Sequence, residues 1–239
     1  MSAEPEVLET RVEDTATVEL VRRGEAFEVR VDGRSVMRSD QRRNEKSLVE
    51  LTLAPLGQRD DVSVLLAGLG MGYTLRALLD WPMVKRVDVI EASRAIIEWE
   101  ARHFAGLNGD VLKDPRVKVH ATDLAAYLKA VRIGVEPVPE GNGWLALVLD
   151  LDEGPDRVWR AGNESFYGDD GIERLEAALR PGGVLATWSP QREPELAKRM
   201  HARLQNVAEV AVPVDIEGHG LDYVYRGRRP PNPTDKKLN

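Results

Sequence analysis

The sequence predicts an α/β protein: a mostly parallel, twisted sheet flanked by helices, with a small β-hairpin or meander region before it. Three observations predict this. Short apolar runs at 62–67, 87–90, 117–120, 144–149 and 184–188 have strand length and end in glycine or polar residues. Segments of helical period separate them, and that alternation implies parallel strands covered on both faces. Residues 17–21 and 27–31 instead alternate apolar with polar residues around Gly24, before the turn signal Asp32-Gly33, as in a meander with one buried face.

The elements follow in order. Residues 1–15 read as a flexible acidic arm and 16–56 as the small β region with a linking helix. Residues 57–226 read as the main domain and 227–239, rich in Pro and Lys, as a disordered tail. Asn44 is placed to cap the linking helix, which runs from Glu45 toward Leu53 with Pro55 ending it. In the main domain, helices are expected at 74–79, 93–104, 124–130, 171–179 and 194–205. Pro181-Gly182-Gly183 reads as a tight turn, 134–143 as a loop, and 207–213 and 221–225 as closing strands.

A length of 239 residues is ample for one core, and a net charge of −7 disfavours a nucleic-acid surface. With no cysteine, neither a disulfide framework nor a cysteine metal site is expected. The four histidines have no metal-ligand spacing, so no metal is expected and each reads as structural or solvated. The N-terminus lacks a signal-peptide pattern, and no apolar run approaches the ~20 residues of a membrane span. The expected compartment is the cytoplasm. A small-molecule acceptor is the expected partner, and the meander's edge strands offer a surface for a homodimer.

Gly68-Leu69-Gly70-Met71-Gly72 follows an apolar strand and precedes a helix. Glycines suit a backbone that must turn sharply and approach a ligand closely. The dinucleotide fingerprint places its third glycine one residue later, where Tyr73 stands here, so the loop reads as nucleoside-binding with NAD the weaker reading. Glu91 ends the next strand, where a carboxylate accepts hydrogen bonds from ribose hydroxyls. Asp123 suits either an adenine amino group or a helix N-cap. Asp150 ends the fourth strand, and with Asp152 and Glu153 it makes an acidic mouth suited to a cationic amine, to general-base work or to a divalent ion. Trp159 and Tyr167 follow that mouth as candidates to line an acceptor pocket; Met37 is a further one. The remaining tryptophans read as packing.

These residues carry a resemblance. The glycine loop continued through Tyr73-Thr74-Leu75-Arg76 contributes to it, as do Val87-Asp88-Val89-Ile90-Glu91 and Asp114-Pro115-Arg116-Val117. So do the loop 150–155, Asn163-Glu164-Ser165-Phe166-Tyr167 and Leu179-Arg180-Pro181-Gly182-Gly183. Together they resemble the spermidine synthase-like family within the class I S-adenosylmethionine-dependent methyltransferase superfamily. The resemblance implies a Rossmann-like methyltransferase fold. It also implies a sulfonium nucleoside donor, S-adenosylmethionine or its decarboxylated form, with methylthioadenosine as a related ligand, and transfer of an aminopropyl group to a diamine. Gly68, Gly70, Gly72 and Glu91 are then expected to hold the donor and Asp123 to read its adenine; by resemblance, Asp150 is the base and Glu153 stands where a second acid helps to hold the amine.

The sequence departs from that family at the acceptor side. Met37 replaces a Gln, Ser47-Leu48-Val49 replaces a Tyr-His-Glu run, and Leu151 replaces a small polar residue beside the base. Fewer polyamine-holding groups favour methyl transfer to a small molecule over aminopropyl transfer. A nucleoside-binding scaffold without catalysis is the third reading.

Overall fold

The computed structural model describes residues 4–214, 216 and 220–231, and two sheets organise them. The smaller is an antiparallel meander of β1 (Glu6–Glu13), β2 (Ala16–Arg23), β3 (Ala26–Val31) and β4 (Arg34–Arg38). Its first strand corrects the expected flexible arm, since residues 6–13 pair with β2. Acidity does not oppose this pairing at a solvated edge: Glu6 meets Arg22 across the strands at 2.6 Å. Val18, Leu20 and Val29 form the meander's buried side and join the main core.

The second sheet has the order β10-β11-β9-β8-β5-β6-β7. Its central strands β5 (Val62–Ala67), β6 (Val84–Glu91), β7 (Val117–Ala121), β8 (Trp144–Leu149) and β9 (Leu179–Ser189) are parallel. β10 (Gln205–Pro213) and β11 (Leu221–Arg228) close one edge, and β11 runs antiparallel to both neighbours. Every residue of β5 and of β8 is buried, which is why β8 reads as an unbroken apolar run and β5 as one interrupted only by Ser63. The chain runs outward from β5 to β6 and β7, then returns to place β8 on the other side of β5. Ligand sites of open α/β sheets lie beyond the carboxyl ends of strands at such a reversal.

Helix α1 (Glu45–Leu53) links the sheets. Its expected cap does not form, because the Asn44 side chain instead donates to the buried Asp222 carboxylate at 2.6 Å. Helix α2 (Tyr73–Leu79) follows the glycine loop. The helix expected at 93–104 is three pieces: α3 (Arg94–Trp99), a π-helical turn (Glu100–Phe104) and α4 (Ala105–Asn108). Beyond lie α5 (Leu124–Arg132), α6 (Asp169–Ala178) and α7 (Pro194–Arg203). Two expectations near the end are corrected. Pro181-Gly182-Gly183 lies within β9, and Gly227 and Arg228 of the expected tail belong to β11. The Arg229 N–H then donates to the Gly183 carbonyl, which keeps the chain on the sheet; residues 232–239 of that tail lie outside the described residues. Among the described residues, no helix is long and apolar enough to cross a membrane.

Candidate active site

The carboxyl ends of β5 and β8 meet so closely that a Cβ on Gly68 would collide with the carbonyl oxygen of Asp150. Gly68 also has a φ of 99°, so both space and backbone demand glycine there. This contact brings the glycine loop and the acidic loop to one place. Two clefts open from it.

The first cleft, of ≈ 460 Å³, is lined by Gly68, Gly70, Glu91, Thr122 and Asp123 of the main sheet, with residues 13–16 of the meander above. Its volume falls in the range of roughly 300–1,000 Å³ typical of small-molecule sites. Glu91 accepts hydrogen bonds from the N–H groups of Leu69 at 3.0 Å and Ser93 at 2.8 Å, one on each oxygen. The carboxylate thus pins the glycine loop and keeps further lone pairs for a ligand. Burial pushes its pKa up, against the pull of those N–H groups. Asp123 caps α5 by accepting from Ala126 N–H at 2.8 Å, and it lines the same cleft. Gly72 lies below, packed against Asn108. The meander closes over this side: Glu13 accepts the Ala95 N–H at 2.8 Å, and Asp14 pairs with Arg160.

The second cleft, of ≈ 150 Å³, is bounded by β4, the start of α1, the glycine loop and the acidic loop. Asp150, Asp152, Glu153 and Trp159 all line it. Asp150 accepts from Thr74 Oγ1 at 2.6 Å on one oxygen and from Trp188 Nε1 at 2.8 Å on the other. Burial pushes its pKa up while these two bonds pull it down.

The rest of the acidic mouth is arranged differently from the sequence expectation. Asp152 is buried and accepts from Trp159 N–H at 2.7 Å and Asn163 Nδ2 at 3.2 Å. It is a hub that folds the loop, and burial pushes its pKa up to about 6. Glu153 is met by Arg157 at 3.1 Å and Arg43 at 3.5 Å, so its charge is already paired. Tyr167, expected beside an acceptor, is 2% exposed and lies behind Asp152, with its hydroxyl 3.5 Å from that carboxylate; it is not among the residues lining either cleft.

The spermine/spermidine synthase domain description matches residues 51–216. The chain belongs to that family. A putrescine N-methyltransferase of Nicotiana tabacum is 29% identical over 136 residues, 56% of this chain and 32% of the relative. A polyamine aminopropyltransferase of Prochlorococcus marinus is 29% identical over 167 residues, 67% of this chain and 50% of the relative. The chain thus spans about a third to a half of the length of these relatives. The crystal structure of spermidine synthase from Thermotoga maritima superposes with a TM-score of 0.70 at 14% identity, covering 93% of this chain and 72% of that one. A spermidine synthase in complex with the transition state analogue AdoDATO gives 0.69 at the same identity and coverage. These likenesses establish the α/β Rossmann-like fold.

Four residues of this spermine/spermidine synthase domain chain escaped the sequence reading. Thr74 and Trp188 flank Asp150, and Trp188 had read as packing alone. Its place at the carboxyl end of a parallel strand was the available signal. Arg43 donates to Asp222 through Nε at 3.1 Å and a terminal nitrogen at 2.7 Å, and its guanidinium carbon lies 5.0 Å from the Trp188 ring centroid. Glu45 adds a carboxyl to the second cleft, accepts the Arg43 N–H at 3.1 Å and has its pKa pushed up by burial. No local spacing marks Arg43 or Glu45, because only the docking of the meander and α1 brings them to the sheet.

Proposed function

We propose that this chain is an S-adenosylmethionine-dependent methyltransferase acting on a small amine. The observation that carries the proposal is the seam between the clefts. Six residues line both: Val36, Met37, Gly70, Asp150, Leu151 and Trp159. Asp150 is the one charged residue among them. A methyl group needs no polar partner as it crosses such a neck. An aminopropyl group would carry a second ammonium through it, and Asp150, the one charge at the neck, would then face both that ammonium and the attacking amine.

The first cleft fits a nucleoside. Its floor is a glycine loop whose Gly68 leaves no room for a side chain, and Glu91 offers lone pairs suited to ribose hydroxyls. Asp123 suits the adenine amino group while it caps its helix. Bound there, the sulfonium nucleoside supplies an electrophilic methyl carbon. Asp150 receives the proton that the amine must lose, and its burial makes the carboxylate a stronger base than an exposed one. Thr74 and Trp188 hold that carboxylate in one orientation. The new N–C bond forms as the C–S bond breaks, the electron pair stays on sulfur, and the amine proton passes to Asp150.

Aminopropyl transfer is the second reading, favoured by the acidic lining of the second cleft. Purified protein is incubated with S-adenosylmethionine, or with its decarboxylated form, and a panel of small amines, and products are followed by mass spectrometry. Methylated amine with S-adenosylhomocysteine is the expected result. Methylthioadenosine from the decarboxylated donor, with no S-adenosylhomocysteine from the other, overturns the proposal in favour of aminopropyl transfer.

A further inference from the structure

Glu100 is a fully buried carboxyl that the chemistry above leaves unused, and it sits in the π-helical turn between α3 and α4. Its Oε1 accepts from Asn108 Nδ2 at 2.9 Å, and the same nitrogen donates to the Met71 carbonyl at 2.8 Å. A Cβ on Gly72 would collide with that nitrogen too. Asn108 therefore touches the glycine loop at two consecutive residues. A carbonyl only accepts, so the Met71 bond orients the amide with Nδ2 toward the loop.

Two buried atoms here are then without partners among the described residues: Glu100 Oε2 and Asn108 Oδ1. They belong to the two groups that already share a hydrogen bond. Buried polar atoms left unpaired are costly. A carboxylate cannot fill either vacancy, because it has no donor. A carboxylic acid offers what is missing, since its O–H is a donor that Asn108 Oδ1 can accept. Burial pushes the Glu100 pKa up, and the nearby Asp110 charge adds to that. The π-helical geometry is consistent with a built feature, since such turns inside helices are frequent at functional sites.

We propose that Glu100 is a positioning residue for the nucleoside donor: paired with Asn108 as an acid–amide dimer, it sets the glycine loop at Met71 and Gly72. The link to the donor rests on the proposed function; the link to the loop does not.

The test compares Glu100→Gln, Glu100→Ala and Glu100→Met in the full chain. Gln keeps both bonds, because its carbonyl accepts from Asn108 Nδ2 and its amide donates to Oδ1. Ala and Met keep neither, and Met retains the volume should the Ala chain fail to fold. Two readouts are taken. Without ligand, amide hydrogen exchange at residues 69–72 is expected to quicken about tenfold in the Ala and Met chains and to stay unchanged in the Gln chain. By calorimetry, the Kd for methylthioadenosine is expected to rise about tenfold in Ala and Met and to stay within about twofold in Gln. A Gln chain that loses as much as the others, or Ala and Met chains whose loop exchange matches that of the unaltered chain, overturns the inference. Failure of the unaltered chain to bind methylthioadenosine, with the exchange pattern as expected, overturns the donor reading and leaves the loop assignment standing.

Discussion

Thr74 Oγ1 donates to Asp150 Oδ2 at 2.6 Å, tying the first turn of α2 to the end of β8. The helix that follows the glycine loop therefore holds the proposed base. A single hydroxyl joins the donor-side loop to the acceptor-side carboxylate.

Asp150→Asn tests the base directly. The amide keeps the size and can still accept from Thr74 or Trp188, but it takes no proton. Turnover is expected to fall by about 10²–10⁴-fold. Donor affinity, measured by calorimetry, should change less than threefold, which separates loss of chemistry from loss of the site.

Glu91 makes the opposite prediction. Glu91→Gln puts an N–H₂ group where one of two backbone N–H donors now points, at Leu69 or Ser93. The loop loses a charge-assisted bond and the ribose an acceptor. Methylthioadenosine binding is expected to weaken by about 1.5–3 kcal/mol, roughly 10–150-fold. Unchanged binding would show that the nucleoside lies elsewhere.

Asp152 gives a pH dependence of stability. Its pKa rises from the ordinary 3.8 in the open chain to about 6 in the fold. Between those values the native state holds a proton that the unfolded state has lost. The contribution is thus fully present below pH 3.8 and is lost as pH rises through about 6, at about 1.4 kcal/mol per pH unit. Asp152→Asn removes this dependence. Urea titrations should find the variant gaining on the unaltered chain by roughly 1–3 kcal/mol between pH 4 and pH 7. A constant difference across that range would exclude a raised pKa at Asp152.

Arg43 and Asp222 form a pair sensitive to single substitution. Asp222 is 1% exposed and takes both guanidinium bonds, with Asn44 adding a third. Arg43→Met leaves a buried charge without its counter-ion and is expected to cost about 3–5 kcal/mol. Adding Asp222→Asn should recover most of that loss in denaturant titrations. Equal destabilisation of the single and double variants would mean that Arg43 acts by packing on Trp188 rather than by charge.

What the sequence made legible was local. Gly68 is needed where two strand ends nearly touch, and its neighbours in the chain announce that turn. Asp150 and Glu91 end apolar strands, so their place at the carboxyl edge follows from the alternation of elements. Glu153 reaches the second cleft as its place in the acidic loop suggested, but its pairing with Arg43, 110 positions earlier in the chain, has no local signal. Asn44 met all the local requirements of a cap, yet the buried Asp222 offered its side chain a stronger partner. The strand at 6–13 was hidden by its composition: an edge strand facing water has little apolar pattern to read.

The family match begins at residue 51, whereas Met37, Arg43 and Glu45 stand before it. All three line the second cleft. The family match therefore covers the floor of the proposed nucleoside cleft but not the part of the second cleft's wall built by β4 and the start of α1. Two chains alike over the matched span can share a donor and still choose different acceptors, by exchanging a few residues between β4 and the first turn of α1.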